Sequence, residues 1–346
     1  MKIFEKAAES LSLGKPFVIF RKPDQTNITG IFQRGKVSHG CNKWTESGFV
    51  FAPFDSALCW ILPENDSDVV KENFIVSTAN SVTPELEIDA KAKLNFEILV
   101  AKGVSAIRNG DFEKVVLSRL EEIPIGDFDA LDAFGKLAAN YPSAFVYLWF
   151  HPETDIWMAA TPEKLLEANG KDFATMALAG TQKFQGETEV SWPKKEKEEQ
   201  RFVTDFIWNG LEGLVSDIEI GAPYTTKAGN LLHIRTDISG TLNDAADLGE
   251  VISILHPTPA VCGLPKAESK QFILDNEGYG RDYYAGFLGE LNLQDGTDLY
   301  VNLRCMKVKD GVAQLFIGCG ITKDSEPEKE FFETVNKSLT IRKALS

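Results

Sequence analysis

The chain has 346 residues, 43% of them apolar and 25% charged, with a formal net charge of −15. That length supports one large unit or two closely packed halves with ample core, and the composition is that of an ordinary globular protein. So acidic a surface argues against nucleic acid and anionic membranes as partners, and an anionic small molecule would need local lysine, arginine or metal charge to draw it in.

Residues 1–13 are expected as a short helix, followed by strands at 16–21, 29–33 and 48–53 with Asn, Gly and Pro punctuation between them. Glu5 and Glu9 interrupt the apolar character of the first twenty residues, so no signal peptide is expected there. No apolar run approaches membrane-spanning length. The five cysteines, Cys41, Cys59, Cys262, Cys305 and Cys319, show no C-x-x-C spacing, which points to free thiols in a reducing compartment. A cytoplasmic protein is the expectation, with a monomer as the expected state. The stretch 65–85 is the expected flexible segment and a candidate lobe boundary.

A helix is expected over 84–108, with Pro84 in its first turn and Leu86, Ile88, Leu94, Ile98, Leu99 and Val104 as its apolar stripe. Strands at 114–122, 144–150, 155–160, 163–168 and 173–178 surround a helix at 127–139. The clearest helix spans 193–215, where Phe202, Val203, Phe206, Ile207, Leu211 and Leu214 recur at spacings of three and four. Strands near 231–239, 283–292, 297–307 and 312–317, helices near 245–255 and 266–275, and a terminal helix at 327–344 complete the pattern. Runs of strands with intervening helices, without regular strand–helix alternation, read as a single α+β unit over 1–346.

Chemistry-bearing residues are scattered along this pattern. Lys114 and Glu163 each lie at the end of a strand-type segment. An amine and a carboxyl group facing one another across a pocket would supply a general base and a general acid, a combination suited to adding water at one end of a conjugated system while hydroxide leaves the other. Taken singly, a strand lysine more often faces solvent, and Thr161-Pro162-Glu163 is more often a plain turn. Gly180, ending the strand Ala177-Leu178-Ala179-Gly180-Thr181, allows close approach of a ligand to backbone N–H groups, or is an ordinary strand end. Glu196, Glu198 and Glu199 stand among Lys194, Lys195 and Lys197, by default a solvated helix face; Glu199, one turn before Val203, is the best placed to turn inward. Glu330, Glu333 and Lys337 share one face of the terminal helix, as a surface ladder or as part of a Mg²⁺ site using one or two carboxylates and several waters. No two of the four histidines stand at zinc spacing, and there is no nucleophile elbow, Walker loop or dinucleotide fingerprint.

Taken together and in order, these segments resemble the chorismate-utilising enzymes, and within them the isochorismate synthases. The matching pieces are Lys114–Arg119 (KVVLSR), Thr161-Pro162-Glu163, Leu178–Thr181 (LAGT), the start of the 195–203 helix, His256–Gly263 (HPTPAVCG), Arg281–Gly286 (RDYYAG), Leu303-Arg304-Cys305, Gly318-Cys319-Gly320, and Glu330–Thr334 (EFFET) with Lys337. They cover about residues 90–346; residues 1–85 match only loosely. The resemblance implies two facing, largely antiparallel β-sheets in the centre with helices outside and a cleft between. It implies chorismate as substrate, Mg²⁺ as cofactor, Lys114 as base and Glu163 as acid. It implies Glu199 and Glu333, with Glu330, as metal ligands, and Ala179, Gly180, Thr181, His256, Arg304, Gly318, Gly320 and Lys337 around the substrate. Anthranilate synthases typically carry glutamine at the Lys114 position, and aminodeoxychorismate synthases a lysine at the Ala179 position; neither is present here. Salicylate synthases share the lysine and are the alternative, as is a silent scaffold of the same fold. Relatives of this kind open menaquinone and catecholate siderophore routes. One departure is Gln200, where many relatives place histidine beside the metal ligand.

Overall fold

The computed structural model describes residues 2–55, 58–74, 87–228, 231–294 and 296–345. Its centre is a pair of antiparallel sheets. The first runs, edge to edge, through Gly263–Leu264, Lys114–Pro124, Val312–Ile321, Cys305–Lys309, Asp155–Thr161, Phe145–His151, Phe17–Arg21, Asn27–Gln33 and Ser67–Asn73. The second runs through Val215–Ile220, Leu231–Leu242, Asp172–Lys183, Lys164–Asn169, Gly296–Val301, Phe287–Leu293, Gly48–Ala52, Cys59–Pro63 and Gly40–Cys41, with Tyr224–Ala228 also paired to Leu231–Leu242. The expected α+β class with facing antiparallel sheets is what forms.

Period-two alternation explains why the strands read as almost continuous apolar runs. All five residues of Phe17–Arg21 are buried. Val18 and Phe20 point between the sheets, where the Phe20 ring meets Phe49 of the second sheet at 5.3 Å, while Phe17 and Ile19 point outward under the helices Lys2–Leu13 and Ala130–Asn140. A strand covered on both faces has no polar face to show. Helix Lys194–Leu211 covers the second sheet, and helices Ala90–Asn109, Lys266–Asn276 and Pro327–Arg342 cover the first around the Lys114 strand.

Three expectations need correction. The second long helix begins at Ala90, where the Asp89 carboxylate accepts hydrogen bonds from the N–H groups of Lys91 and Ala92, and not at 84. Its buried stripe is Phe96, Leu99, Val100, Gly103 and Val104; Ile88, Leu94 and Ile98 are exposed. The helix turns this face inward because Gly103 lets it close on the Leu117 side chain, which a Cβ there would meet at 3.0 Å. Second, the strand expected over 297–307 is two strands, broken at Asn302–Arg304 as the chain passes from one sheet to the other. Third, within the expected flexible stretch 65–85, Ser67–Asn73 is an edge strand; Pro84 and the rest of 75–86 lie outside the described residues.

Candidate active site

Two sheet-to-sheet crossings build the site. Thr161-Pro162-Glu163 carries the chain from Asp155–Thr161 in the first sheet to Lys164–Asn169 in the second, and Asn302-Leu303-Arg304 carries it back from Gly296–Val301 to Cys305–Lys309. The crossings are stitched together: Thr161 Oγ1 donates to the Val301 carbonyl at 2.6 Å and the Val301 N–H donates to the Glu163 carbonyl at 3.0 Å. Arg304 takes a left-handed backbone conformation, φ 51°, to turn the corner. Glu163 and Arg304 therefore emerge side by side where the sheets part.

The cleft there has an empty volume of about 860 Å³ counting its open mouth. Lys114, Glu163, Ala179, Gly180, Thr181, Glu199, Arg304, Gly318, Gly320, Glu333 and Lys337 all line it, so the structure brings together eleven of the residues singled out from sequence. Lys114 stands at the first position of its strand, 2% exposed, on the face shared with Val116. The partner positions on that face are Gly320 and Gly318, opposite Val116 and Ser118. A Cβ at Gly320 would stand 3.0 Å from Glu199 Oε2 and 3.2 Å from Lys114 Cε, and one at Gly318 would collide with the Tyr284 hydroxyl. The two glycines are thus what leaves room above the lysine. Gly180 lies in a bulge of its strand, where pairing skips from Ala179 to Gln182, at φ 71° that suits glycine.

Burial and charge set the protonation pattern. Removal from water pushes the Glu163 carboxyl up to about 7, against the pull of Lys114, Lys337 and Arg304, so it holds a proton over part of the neutral range. Those three cations then face only Glu199 and Glu333 among the lining acids, giving a cationic cleft in a chain of net charge −15. Burial also lowers Arg304, to about 10.

His233 was not foreseen. Its Nε2 lies 2.9 Å from Arg304 Nη2 and its Nδ1 2.9 Å from the Gly180 carbonyl. A guanidinium can only donate, so Nε2 accepts and Nδ1–H donates to Gly180. Burial, then Arg304 and Lys337, depress the ring to about 3, so it stays neutral. It therefore holds the Gly180 bulge and the arginine in one arrangement. The available signal was its place in the alternating Leu231–Leu242 strand, which pairs with the LAGT strand.

Glu199 and Glu333, from two helices, line the other wall, with Glu196 and Glu330 next to them outside the lining. Glu199 pairs with Lys114 at 3.4 Å and with Lys195 at 3.8 Å; Lys195 bridges to Glu330 at 2.9 Å, and Lys337 pairs with Glu333 at 2.8 Å. Glu330 is buried beside this wall but does not line the cleft; burial, then Glu333, raises its carboxyl against the pull of Lys195. Glu196, one turn before Glu199, went unrecognised as more than part of a charge run. Its Oε2 is buried with no hydrogen-bond partner, and burial followed by repulsion from Glu199 raises it to about 7, with Glu333 and Glu330 adding to the effect. The E-x-x-E spacing that it shares with Glu330 and Glu333 was the signal. Among the described residues, no three acidic, histidine or cysteine side chains already converge as a cation cage. Two carboxylates with waters are nevertheless what a hard divalent ion uses, and an orphaned carboxylate oxygen next to them fits such an ion.

His256 is the residue that the structure moves out of the site. It does not line the cleft; its Nε2 lies 3.1 Å from the Pro53 carbonyl and its ring packs edge-on against Phe287 at 4.9 Å. The cleft is reached instead by Ala260 and Val261 of the same loop.

Comparison with known proteins adds family and fold likeness to this description. The model of the chorismate binding enzyme family matches residues 64–346. The salicylate biosynthesis isochorismate synthase of Pseudomonas aeruginosa is 32% identical over 269 residues, covering 75% of this chain and 56% of its own length. Anthranilate synthase component 1 of Lactococcus lactis is 29% identical over 275 residues, covering 73% of this chain and 60% of its own. The match thus spans somewhat more than half the length of these relatives. The structure of MenF, the menaquinone-specific isochorismate synthase of Escherichia coli, superposes with a TM-score of 0.80 at 20% identity, covering 96% of this chain and 89% of that one, a likeness of fold.

Proposed function

The chain belongs to the chorismate binding enzyme family, and from that premise we propose that it is an isochorismate synthase, isomerising chorismate to isochorismate. The observation that carries the reading is the pair of Lys114 and Glu163 on one cleft, the first a lysine where glutamine would suit ammonia chemistry, the second a carboxyl lifted to about 7 by burial.

In the proposed reaction Lys114 first releases its ammonium proton to solvent; its neutral amine then takes a proton from water, and the oxygen bonds to C2 of the cyclohexadiene. The C1–C2 π electrons move to C1–C6, those of C5–C6 move to C4–C5, and the C4–O bond breaks. Glu163 gives its proton to the departing hydroxyl, so water enters and water leaves. Each proton transfer is worth roughly 10²–10⁴ in rate. Arg304 and Lys337, half-buried cations that line the cleft, suit the substrate carboxylates, Arg304 through two parallel hydrogen bonds. N–H groups at the Gly180 bulge add to that binding. Glu199 and Glu333, with Glu196 and Glu330 behind them, would hold Mg²⁺. When bound, that ion would orient the ring carboxylate and offset its charge. We further propose that the protein works in the cytoplasm; no helix of the described residues is long and apolar enough to cross a membrane.

The test is to incubate the purified chain with chorismate, with and without MgCl₂, and to separate the products. Metal-dependent isochorismate supports the proposal. Salicylate with pyruvate, or anthranilate from ammonia, would assign another family chemistry, and unchanged chorismate a silent fold.

A further inference from the structure

Helix Lys194–Leu211 carries glutamates at 196, 198 and 199, and rotation about its axis decides which of them reach the cleft. Successive residues are turned by about 100°, so a slip of one position would exchange Glu199 for Glu198, which now faces outward and pairs with Lys194 at 3.5 Å. The apolar residues Val203, Ile207 and Leu211 hold the later turns, but the first turns carry almost only charge. There the buried anchor is Gln200. Its Nε2 donates to Thr236 Oγ1 at 2.6 Å and to Thr204 Oγ1 at 2.9 Å, and the Thr204 hydroxyl donates in turn to the Gln200 carbonyl at 3.2 Å. Gln200 is 6% exposed and Thr236 2%. Thr236 belongs to the strand Leu231–Leu242 that also bears His233, the link between Gly180 and Arg304.

We propose that Gln200 is a positioning residue. Its carboxamide, clasped between the hydroxyls of Thr204 and Thr236, fixes the rotation of the helix so that Glu199 lines the cleft, and it does so in register with the strand that holds the substrate-binding side. The inference rests on the proposed role of Glu199 as a metal ligand. An uncharged amide does this work without adding a titrating group to the acid wall.

Gln200→Met, Thr236→Val and Thr236→Ser chains, titrated calorimetrically with MgCl₂ and assayed for kcat and KM, test it. Gln200→Met and Thr236→Val should each weaken Mg²⁺ binding by about 10–100-fold, the range typical of lost outer-shell support. The double variant should lose no more than either single one, Thr236→Ser should stay near the unmodified chain, and excess Mg²⁺ should restore most of kcat. A lower melting temperature with unchanged Mg²⁺ affinity in both Gln200→Met and Thr236→Val would overturn the inference and leave Gln200 a packing residue. If Gln200→Met does not fold, the contrast between Thr236→Val and Thr236→Ser decides. An unmodified chain that binds no Mg²⁺ would overturn the metal assignment, and this inference with it.

Discussion

The two walls of the cleft are built by different means. Lys114 and Glu163 come from strands and a sheet crossing, where backbone ladders fix every Cα: Val115 to Ile321 on one side, Val301 to Glu163 on the other. Glu196, Glu199, Glu330 and Glu333 come from two helices that lie on the sheets and are located by side-chain ties, Lys195 to Glu330, Lys337 to Glu333 and Gln200 to Thr236. The strand wall is held by backbone hydrogen bonds and places proton donors and acceptors. The helix wall is held by side-chain contacts and concentrates negative charge that a cation would relieve. The difference suggests that substitutions in the strand wall should act on turnover and those in the helix wall on ion dependence.

The largest effects should come from the strand wall. Lys114→Ala and Glu163→Gln should each lower kcat by roughly 10²–10⁴ while circular dichroism and thermal unfolding stay those of a folded protein; near-normal turnover in either would remove that residue from its role. Next, Glu333→Ala and Glu199→Ala should abolish the response of the rate to MgCl₂ together with most activity, and a fully active, Mg²⁺-responsive variant would break the assignment of that wall.

A smaller effect separates the walls by stability. The Glu163 carboxyl, ordinarily ionising near 4.5, is raised to about 7 in the fold. Its protonated form is the one the fold favours, so its contribution is fully present below about pH 4.5 and is lost as pH rises through about 7. Glu163→Gln should therefore stabilise the protein at pH 8 relative to pH 5, by up to about 3 kcal/mol. An equal shift in melting temperature at both pH values would mean that the carboxyl is not held protonated. Smallest should be His256→Phe, which alters a ring outside the cleft: kcat should change by less than about threefold, a small fraction of a typical general acid–base contribution, and a hundredfold loss would return His256 to the site.

Much of the site was legible because its residues sit in short segments whose order and types point to one chemistry. Lys114, Glu163, Arg304 and the glycines at 318 and 320 fall where the motifs put them. What stayed hidden depends on contacts between distant segments. The exile of His256 is decided by Pro53 and Phe287, neither of which lies near it in sequence. His233 gains its role only when the Leu231–Leu242 strand pairs beside Gly180. Glu196 looked like part of a solvated charge run because local pattern does not say where a partner helix delivers Glu330 and Glu333. The break at Asn302–Arg304 was unreadable for a related reason: the strands on either side of it are assigned to different sheets by distant partners, Lys164–Asn169 before it and Asp155–Thr161 after it.

The most direct measurement of the central claim is the fate of the water oxygen. Turnover of chorismate in H₂¹⁸O, followed by mass spectrometry of isochorismate isolated at low conversion, should find one ¹⁸O per molecule, on C2, because the hydroxyl that leaves C4 is not the one that arrives. Isochorismate without label would mean that the hydroxyl migrates within the substrate, and the Lys114 base and Glu163 acid would have no reaction to perform.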